Sequence, residues 1–240
     1  MTIAAAVFRW LLSGVCGQIP AHSFVVHGEA LPLCARCTGT HVGILVGLLT
    51  WRLSRKSRSS ALPPLRVVVV LAAFIGAWAL DGLNSFLTLL RDGPSLYAPS
   101  NALRLSTGML NGLALATLVH PLFNFVAWDE PDQGPTVSGL RGLMPPLALL
   151  ATLLALALLG PPIGHRGLFI IASIGLITSL TLVNAAGALV LLHREQRARR
   201  WRELLLPLVL GFLASLAEVA ALALLTNWIR SGWLKPGLLG

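Results

Sequence analysis

Two cysteines separated by two residues mark the stretch of the chain best suited to chemistry. Cys34 and Cys37 are followed four residues later by His41, where an apolar stretch begins. Cys16 is the only other cysteine, and His22 lies between it and the pair. Thiolates and imidazoles are zinc ligands, and the two-residue spacing lets two thiolates reach one tetrahedral ion. The pattern predicts a zinc site built from the three cysteines and a histidine, with either a structural or a catalytic role.

The same thiols allow two other interpretations. Cys34 and Cys37 at a helix N-terminus, with Arg36 between them, have the features that favour a thiolate in Cys-x-x-Cys oxidoreductases. Such an enzyme in a membrane would exchange electrons with a quinone. A structural disulfide outside the cytoplasm is the third interpretation. One Cys-x-x-Cys pair without a second does not separate these three.

A second group of polar residues lies within apolar segments, namely Asp81, Asn84, Asn101, Arg104 and Glu218. An ionisable group at membrane depth costs at least about 2.5–3.5 kcal/mol unless it is paired. Asp81 and Arg104 lie near the same end of neighbouring segments, so we predict that they pair. The pair could serve packing alone. Alternatively, Asp81 and Glu218 could bind protons or a small solute in a carrier.

The composition is typical of a membrane protein. Hydrophobic residues make up 55% of the 240 residues and charged residues 11%, with a mean hydropathy of +0.78. Soluble domains carry about a quarter charged residues. The net charge of +9 is concentrated at the ends of apolar segments, without a basic stripe interleaved with aromatic residues. This argues for a lipid bilayer as partner and against nucleic acid.

We predict an all-α fold, a polytopic membrane helix bundle of about six transmembrane helices preceded by an interfacial helix. Each apolar stretch can cross roughly 30 Å of hydrocarbon. The chain is predicted to be one integral membrane domain over residues 1–240, with an N-terminal Cys/His segment at 1–35 and the bundle at 36–228. The predicted spans are Arg36–Leu53, Leu65–Leu90, Ala102–Val126, Leu143–Gly160, Gly167–Leu192 and Leu204–Trp228.

The segments before the first span are expected to lie outside the bilayer core. Residues 1–15 are too short to cross it, and Arg9 interrupts the apolar core that a signal peptide requires, so an interfacial helix is predicted. Residues 17–33 contain Pro20, Gly28 and Pro32, which predict a loop.

Small residues predict which spans pack most closely. Gly39, Gly43 and Gly47 recur every four residues in the first span, and Gly108 and Gly112 do so in the third. Such rows let helix backbones approach closely in lipid. The first span is therefore expected to lie at the centre of the bundle.

Four motifs resemble the domain-of-unknown-function 2085 family of membrane proteins, over about residues 16–112. They are Cys16-Gly-Gln-Ile-Pro-Ala-His-Ser-Phe, Pro32-Leu-Cys-Ala-Arg-Cys-Thr-Gly, Asp81-Gly-Leu-Asn, and Asn101-Ala-Leu-Arg with Thr107-Gly108. The resemblance implies no established activity.

This chain departs from the family pattern at three places. The family reads Cys-His-Gln at the first motif, Arg-Ser-Phe at its end, and Ile-Tyr after the cysteine pair. Here these positions hold Gly17, His22 and Thr40-His41. Gly17 has no side chain, so a ligand role of the family's histidine cannot be carried over. That His22 or His41 takes its place is a hypothesis.

Loop charges predict the orientation of this integral membrane protein in the inner or plasma membrane. Basic residues concentrate in the first and fifth connections, which lie on the same side of a six-span chain. That side is predicted to be cytoplasmic. Both termini and all three cysteines are then extracytoplasmic. The basic residues are Arg52, Arg55, Lys56, Arg58, Arg66, Arg194, Arg197, Arg199, Arg200 and Arg202.

Cysteine labelling in intact cells tests this orientation. Single cysteines at Ser57 and Arg200 should react with a membrane-impermeant maleimide only after the inner face is opened, as read by peptide mass spectrometry. Labelling of either peptide in sealed cells would reverse the orientation and place the native cysteines inside.

Overall fold

The computed structural model describes residues 3–54, 56–88 and 95–233 and is predominantly helical, which confirms the predicted helical membrane bundle. Arg55 of the first basic connection, the predicted end of the second span at Leu90, and the two chain ends lie outside the described residues. The helices within the described residues are α1 Ile3–Leu12, α2 Ala35–Leu53, α3 Leu65–Leu87, α4 Asn101–Ala127, α5 Met144–Leu159, α6 Ile163–Leu191 and α7 Leu205–Trp233.

Five helices in the described part of the chain, α3 to α7, are long and apolar enough to cross a membrane. The first predicted span, α2, is not among them, although its helix matches the prediction closely. Its 19 residues rise about 28 Å at 1.5 Å per residue. Its first half carries Arg36, Thr38, Thr40 and His41, which lower its hydropathy. This polarity is tolerated because α2 is surrounded by protein, against α4, α5 and α6.

Glycines bring the backbones of α2 and α4 into direct contact. A Cβ atom at Gly39 would lie 2.2 Å from the carbonyl oxygen of Leu105, and one at Gly43 would lie 2.1 Å from that of Met109. In return, a Cβ atom at Gly112 would lie 2.0 Å from the carbonyl oxygen of Thr40. Only glycine fits at such distances. The predicted central position of the first span is therefore what the structure shows.

The other helices are arranged around this pair. α6 crosses α2 where a Cβ at Gly175 would come within 2.1 Å of the carbonyl oxygen of His41. α7 packs on α6 at Gly211, and α3 packs on α4. α1 lies against the C-terminal half of α7, where Gly14, just after α1, meets the backbone of Ala223. The predicted interfacial segment at the N-terminus thus forms a helix, and its position at the membrane surface stays a prediction.

The sequence predicts a loop for residues 17–33, but the structure shows that this segment contains a β-hairpin. Strands β1 Ser23–Val26 and β2 Glu29–Cys34 pair antiparallel. His27 and Gly28 both have positive φ, 52° and 79°, as a tight two-residue hairpin turn requires. Pro32 is accommodated because β2 is an edge strand of a two-stranded sheet. The hairpin delivers Cys34 directly to the start of α2.

The connections at the opposite end of the bundle meet one another. Strand β3 Ser59–Ala61 pairs parallel with β4 Asp132–Pro135, and Trp128 bridges to Ala198. The first, third and fifth connections therefore share one end, as the six-span topology requires. Arginines lie over the aromatic rings there: Arg52 over Trp201 at 4.2 Å, and Arg58 over Trp128 at 3.9 Å.

Substituting the contact glycines tests the α2–α4 packing. Gly112→Ala should destabilise the protein by about 1–3 kcal/mol, because the added methyl group forces the two backbones apart. Thermal unfolding in detergent measures the effect. Gly76→Ala is the matched control, since a Cβ at Gly76 in α3 has nothing within 4 Å. Equal melting temperatures for the two variants would contradict the close contact.

Candidate metal centre

The three cysteines come together at the end of the bundle where the hairpin lies. Cys16 follows α1, Cys34 ends β2, and Cys37 lies in the first turn of α2. Their sulfur atoms all lie within 4.8 Å of one another. All three are free thiols, with Cys16 buried and the other two half-buried. The 17 residues between Cys16 and Cys34, which include most of the hairpin, therefore close into a loop that ends at one compact three-sulfur group.

Backbone amides point at this group. The amide of Cys34 donates to the sulfur of Cys16 at 3.3 Å, and the amide of Gln18 donates to it at 3.4 Å. Gln18 has a φ of 56°, which is uncommon for a residue other than glycine. Its side chain donates to the carbonyl oxygen of Arg9 at 2.7 Å and fixes this turn. The chain thus holds two donors toward one sulfur.

The three thiols also act on each other's ionisation. The pKa of Cys34 is lowered well below its usual value, chiefly because the side chains of Cys16 and Cys37 hydrogen-bond to its sulfur. Cys34 is also the N-cap residue of α2. A helix N-terminus favours negative charge. A thiolate is the form of cysteine that binds metals and attacks electrophiles.

The two candidate histidines are not part of this group. Among the described residues, the cluster of mutually close ligand atoms contains the three sulfurs and no nitrogen. His22 lies in a short 3₁₀ turn before β1 and is half-buried. Burial and the nearby Arg104 lower its pKa. His41 lies one turn beyond Cys37 on α2, with its Nδ1 buried and without a hydrogen-bond partner.

The acidic partner in the polar cluster is paired differently from the prediction. Asp81 on α3 forms its salt bridge with Arg36, not with Arg104. Arg36 Nε donates to Asp81 Oδ2 at 3.1 Å, and its Nη2 donates to Asp81 O at 3.0 Å and to Ser85 Oγ at 2.9 Å. The physical reason is that Arg36, at the start of α2, lies close to the C-terminal part of α3, so its long side chain reaches the carboxylate. Arg36 is therefore engaged by Asp81 and is not aimed at the sulfurs.

Arg104 and Asn101 stay near this pair through other contacts. Arg104 is buried and donates to Ser85 Oγ at 3.3 Å and to Asn101 Oδ1 at 2.9 Å. Asn101 in turn donates to the carbonyl oxygen of Ser23 at 3.3 Å. This network ties the hairpin to the start of α4.

Asn84 anchors the connection that leads into α4. Its amide group donates to the carbonyl oxygen of Tyr97 at 3.0 Å, and its Oδ1 accepts from the amide of Leu96 at 2.8 Å. The Tyr97 hydroxyl donates to Asp81 Oδ1 at 3.0 Å. Four of the five predicted cluster residues thus belong to one network, with Ser85 shared by the two arginines.

Glu218 is not part of this network. It lies on α7, which packs against α6 and α1, and its carboxylate accepts from Asn184 Nδ2 at 3.1 Å. Its side chain is exposed on the outside of the bundle. The predicted grouping of Glu218 with Asp81 is wrong because α7 does not pack on α3.

Two residues of this polar network, Tyr97 and Ser85, are not among those predicted from the sequence. Tyr97, the only tyrosine of the chain, lies in a polar connection and gives no periodic signal. Ser85 falls one turn after Asp81 on the same helix face, and that spacing could have pointed to it.

Fold and site together define a helical membrane protein with a three-cysteine centre at one end of its bundle. The comparisons with known proteins agree. The model of the family described as predicted membrane protein (DUF2085) matches residues 16–118. That range holds the three cysteines and the Arg36–Asp81 network, and it confirms the family resemblance over this part of the chain.

Archaeal proteins are similar over the same part. An uncharacterized protein of Methanocaldococcus jannaschii is 28% identical over 109 residues, which are 45% of this chain and 64% of that protein. An uncharacterized protein of Methanothermobacter thermautotrophicus is 28% identical over 112 residues, which are 47% of this chain and 90% of that protein. No solved structure matches the chain. The chain thus spans less than two thirds of the Methanocaldococcus relative.

A double-mutant cycle tests the Arg36–Asp81 pair. Asp81→Asn and Arg36→Gln should each destabilise the protein by roughly 3–5 kcal/mol, because each leaves an unpaired buried charge, and the double variant should lose less than the sum. Chemical or thermal unfolding in detergent measures the coupling. The exposed Arg199–Asp129 pair is the control and should show far weaker coupling, since water screens it. Additive losses at Arg36 and Asp81 would contradict the pair.

Proposed function

We propose that this membrane protein binds one zinc ion through Cys16, Cys34 and Cys37. The observation that carries the proposal is the approach of the three sulfurs to within 4.8 Å of one another. Zinc–sulfur bonds are about 2.3 Å long, so sulfurs at such separations can share one ion after small adjustments. Soft thiolate ligands select zinc or Cu(I) over magnesium and calcium.

The surroundings of the sulfurs support a metal centre. Two backbone amides already donate to Cys16, and outer hydrogen bonds of this kind orient metal ligands. The sulfurs come from three different elements, so the ion would fasten the end of α1 and the hairpin to α2. Binding of the metal would therefore stabilise the fold at this end.

The fourth coordination position is proposed to be open to water or a small ligand. No histidine nitrogen belongs to the sulfur group within the described residues, and the family's histidine position is Gly17 in this chain. Three protein ligands with one open position are typical of catalytic zinc sites, whereas structural sites have four. Activation of a bound water is the chemistry that a zinc ion supplies in such sites.

Two other functions have candidate residues in the chain, one using two of the cysteines and the other using acidic residues of the bundle. A quinone-linked thiol–disulfide oxidoreductase would use Cys34 and Cys37, and the lowered pKa of Cys34 favours it. A proton-coupled carrier would use Asp81 and Glu218, which lie in separate parts of the bundle. Proton-coupled uptake by vesicles containing the protein would identify that third function.

Metal analysis of the full chain tests the zinc proposal. Protein purified in detergent without reductant should contain about one zinc per chain, measured by mass spectrometry alongside a free-thiol count. Cys16→Ser, Cys34→Ser and Cys37→Ser should each lower the occupancy, and the thiols should resist alkylation until a chelator removes the ion. Metal-free protein with two oxidised cysteines would overturn the proposal in favour of a disulfide or redox pair.

Three variants test the open fourth position. His22→Ala and His41→Ala should keep the zinc, since neither nitrogen belongs to the sulfur group. Gly17→His should bind zinc more tightly in competition with a chelator, because it supplies a nitrogen beside Cys16. A Cβ at Gly17 meets nothing closer than Ile19 at 4.0 Å, so the side chain has room. Loss of zinc in either alanine variant would make that histidine the fourth ligand.

A further inference from the structure

An exposed carboxyl group, that of Glu218, lies near the middle of α7. Glu218 is thirteen residues after the start of α7 at Leu205 and fifteen before its end at Trp233. At 1.5 Å per residue it is about 20 Å from either end of this helix. The side chains around it on the surface of α7 are apolar and exposed, among them Leu210 and Leu225. In a bilayer this side chain therefore faces the hydrocarbon core.

Glu218 is joined to a second polar side chain on the neighbouring helix. Asn184 on α6 donates to Glu218 Oε2 at 3.1 Å and to Ser215 Oγ at 3.1 Å. Ser215 is buried and donates to the carbonyl oxygen of Gly211 at 2.7 Å. These contacts use the donors of Asn184 and Ser215. Within the described residues, Glu218 Oε1 and the amide oxygen of Asn184 have no hydrogen-bond partner.

The surface around this pair permits the close approach of another helix. On the side of Glu218 away from α6, the exposed residues include Ala214, Ala217 and Ala221. Gly187, one turn after Asn184, is exposed with nothing within 4 Å of a Cβ position. Small residues beside polar ones are the typical composition of helix contacts in membranes.

We propose that this face of α6 and α7 is the contact between two copies of the chain. The neutral form of Glu218 offers one O–H donor, and Asn184 offers one free acceptor oxygen. In a twofold arrangement, Glu218 of each copy donates to Asn184 of the other. The pair is thus complementary to itself, which is the requirement for a twofold contact. No other component is needed to remove both groups from lipid.

Energy transfer between labelled copies tests the contact. Full-length chains carrying donor or acceptor dyes on a C-terminal tag are reconstituted in phosphatidylcholine vesicles and diluted with lipid. The wild-type chain should form dimers, and Glu218→Leu should weaken the association about tenfold, because both cross-copy hydrogen bonds are lost. Glu218→Gln should restore it, since an amide both donates and accepts.

Leu216→Ala is the control, because Leu216 is exposed on α7 about 160° around the helix from Glu218 and should leave association unchanged. Disulfide cross-linking between single added cysteines gives a second test. It keeps Glu218, so it does not depend on the correct folding of the Glu218→Leu variant. Ala221→Cys should cross-link two copies, and Leu216→Cys should not. A wild-type chain that stays monomeric on lipid dilution, or Glu218→Leu chains that associate as tightly as wild type, would overturn the contact. The metal content of the protein is independent of either result.

Discussion

The backbone contact between α2 and α4 is the constraint on which the remaining structure depends. Backbone atoms of the two helices meet at Gly39 and Gly43 of α2 and at Gly108 and Gly112 of α4. Dispersion forces act over short distances, and lipid gives no hydrophobic drive between helices, so this closeness supplies the attraction. It also fixes the rotation of α2 about its axis. That rotation decides where the first-turn side chains of α2 point, and these include the proposed metal ligand Cys37 and the arginine that reaches α3.

The site is organised around the first turn of α2. Cys34, Arg36 and Cys37 are neighbours in the chain, but their side chains serve different partners. The two thiols join Cys16, whereas the guanidinium reaches Asp81 on α3. A helix turn of 3.6 residues separates these directions, since residues at i and i+3 share a face and residue i+2 does not. A single turn therefore connects the three-cysteine group to the polar network.

Periodic signals were the part of the sequence that predicted the structure well. Glycines at intervals of four predicted the α2–α4 contact, and the apolar runs predicted the six helices α2 to α7 with ends that differ by at most five residues. The three cysteines were expected to meet, and they do. Pairing between side chains was less predictable: Arg36 and Arg104 both lie near Asp81, and the choice between them depends on rotations of α2 and α4 that no pattern encodes.

The incorrect predictions for residues 17–33 and for Glu218 have a common physical cause. Pro20, Gly28 and Pro32 suggested a loop, yet an edge strand tolerates proline, and the residues His27 and Gly28 suit a tight hairpin turn. The prediction that groups Glu218 with Asp81 rests on both being acids in apolar segments, but the sequence does not specify which neighbouring helix α7 faces. A single sequence gives the least information about which helices, distant along the chain, pack against each other.

The low hydropathy of α2 has a consequence for the biogenesis of the protein. Insertion of a segment by itself depends on its own transfer free energy, and α2 carries an arginine and a histidine in its N-terminal half. The helix that shields it, α4, ends 74 residues after Leu53, at Ala127. At about 5–20 residues per second, the ribosome needs roughly 4–15 seconds to make that stretch. During this interval α2 must be held by the insertion machinery or by α3, so assembly of the core waits on a helix that is translated later.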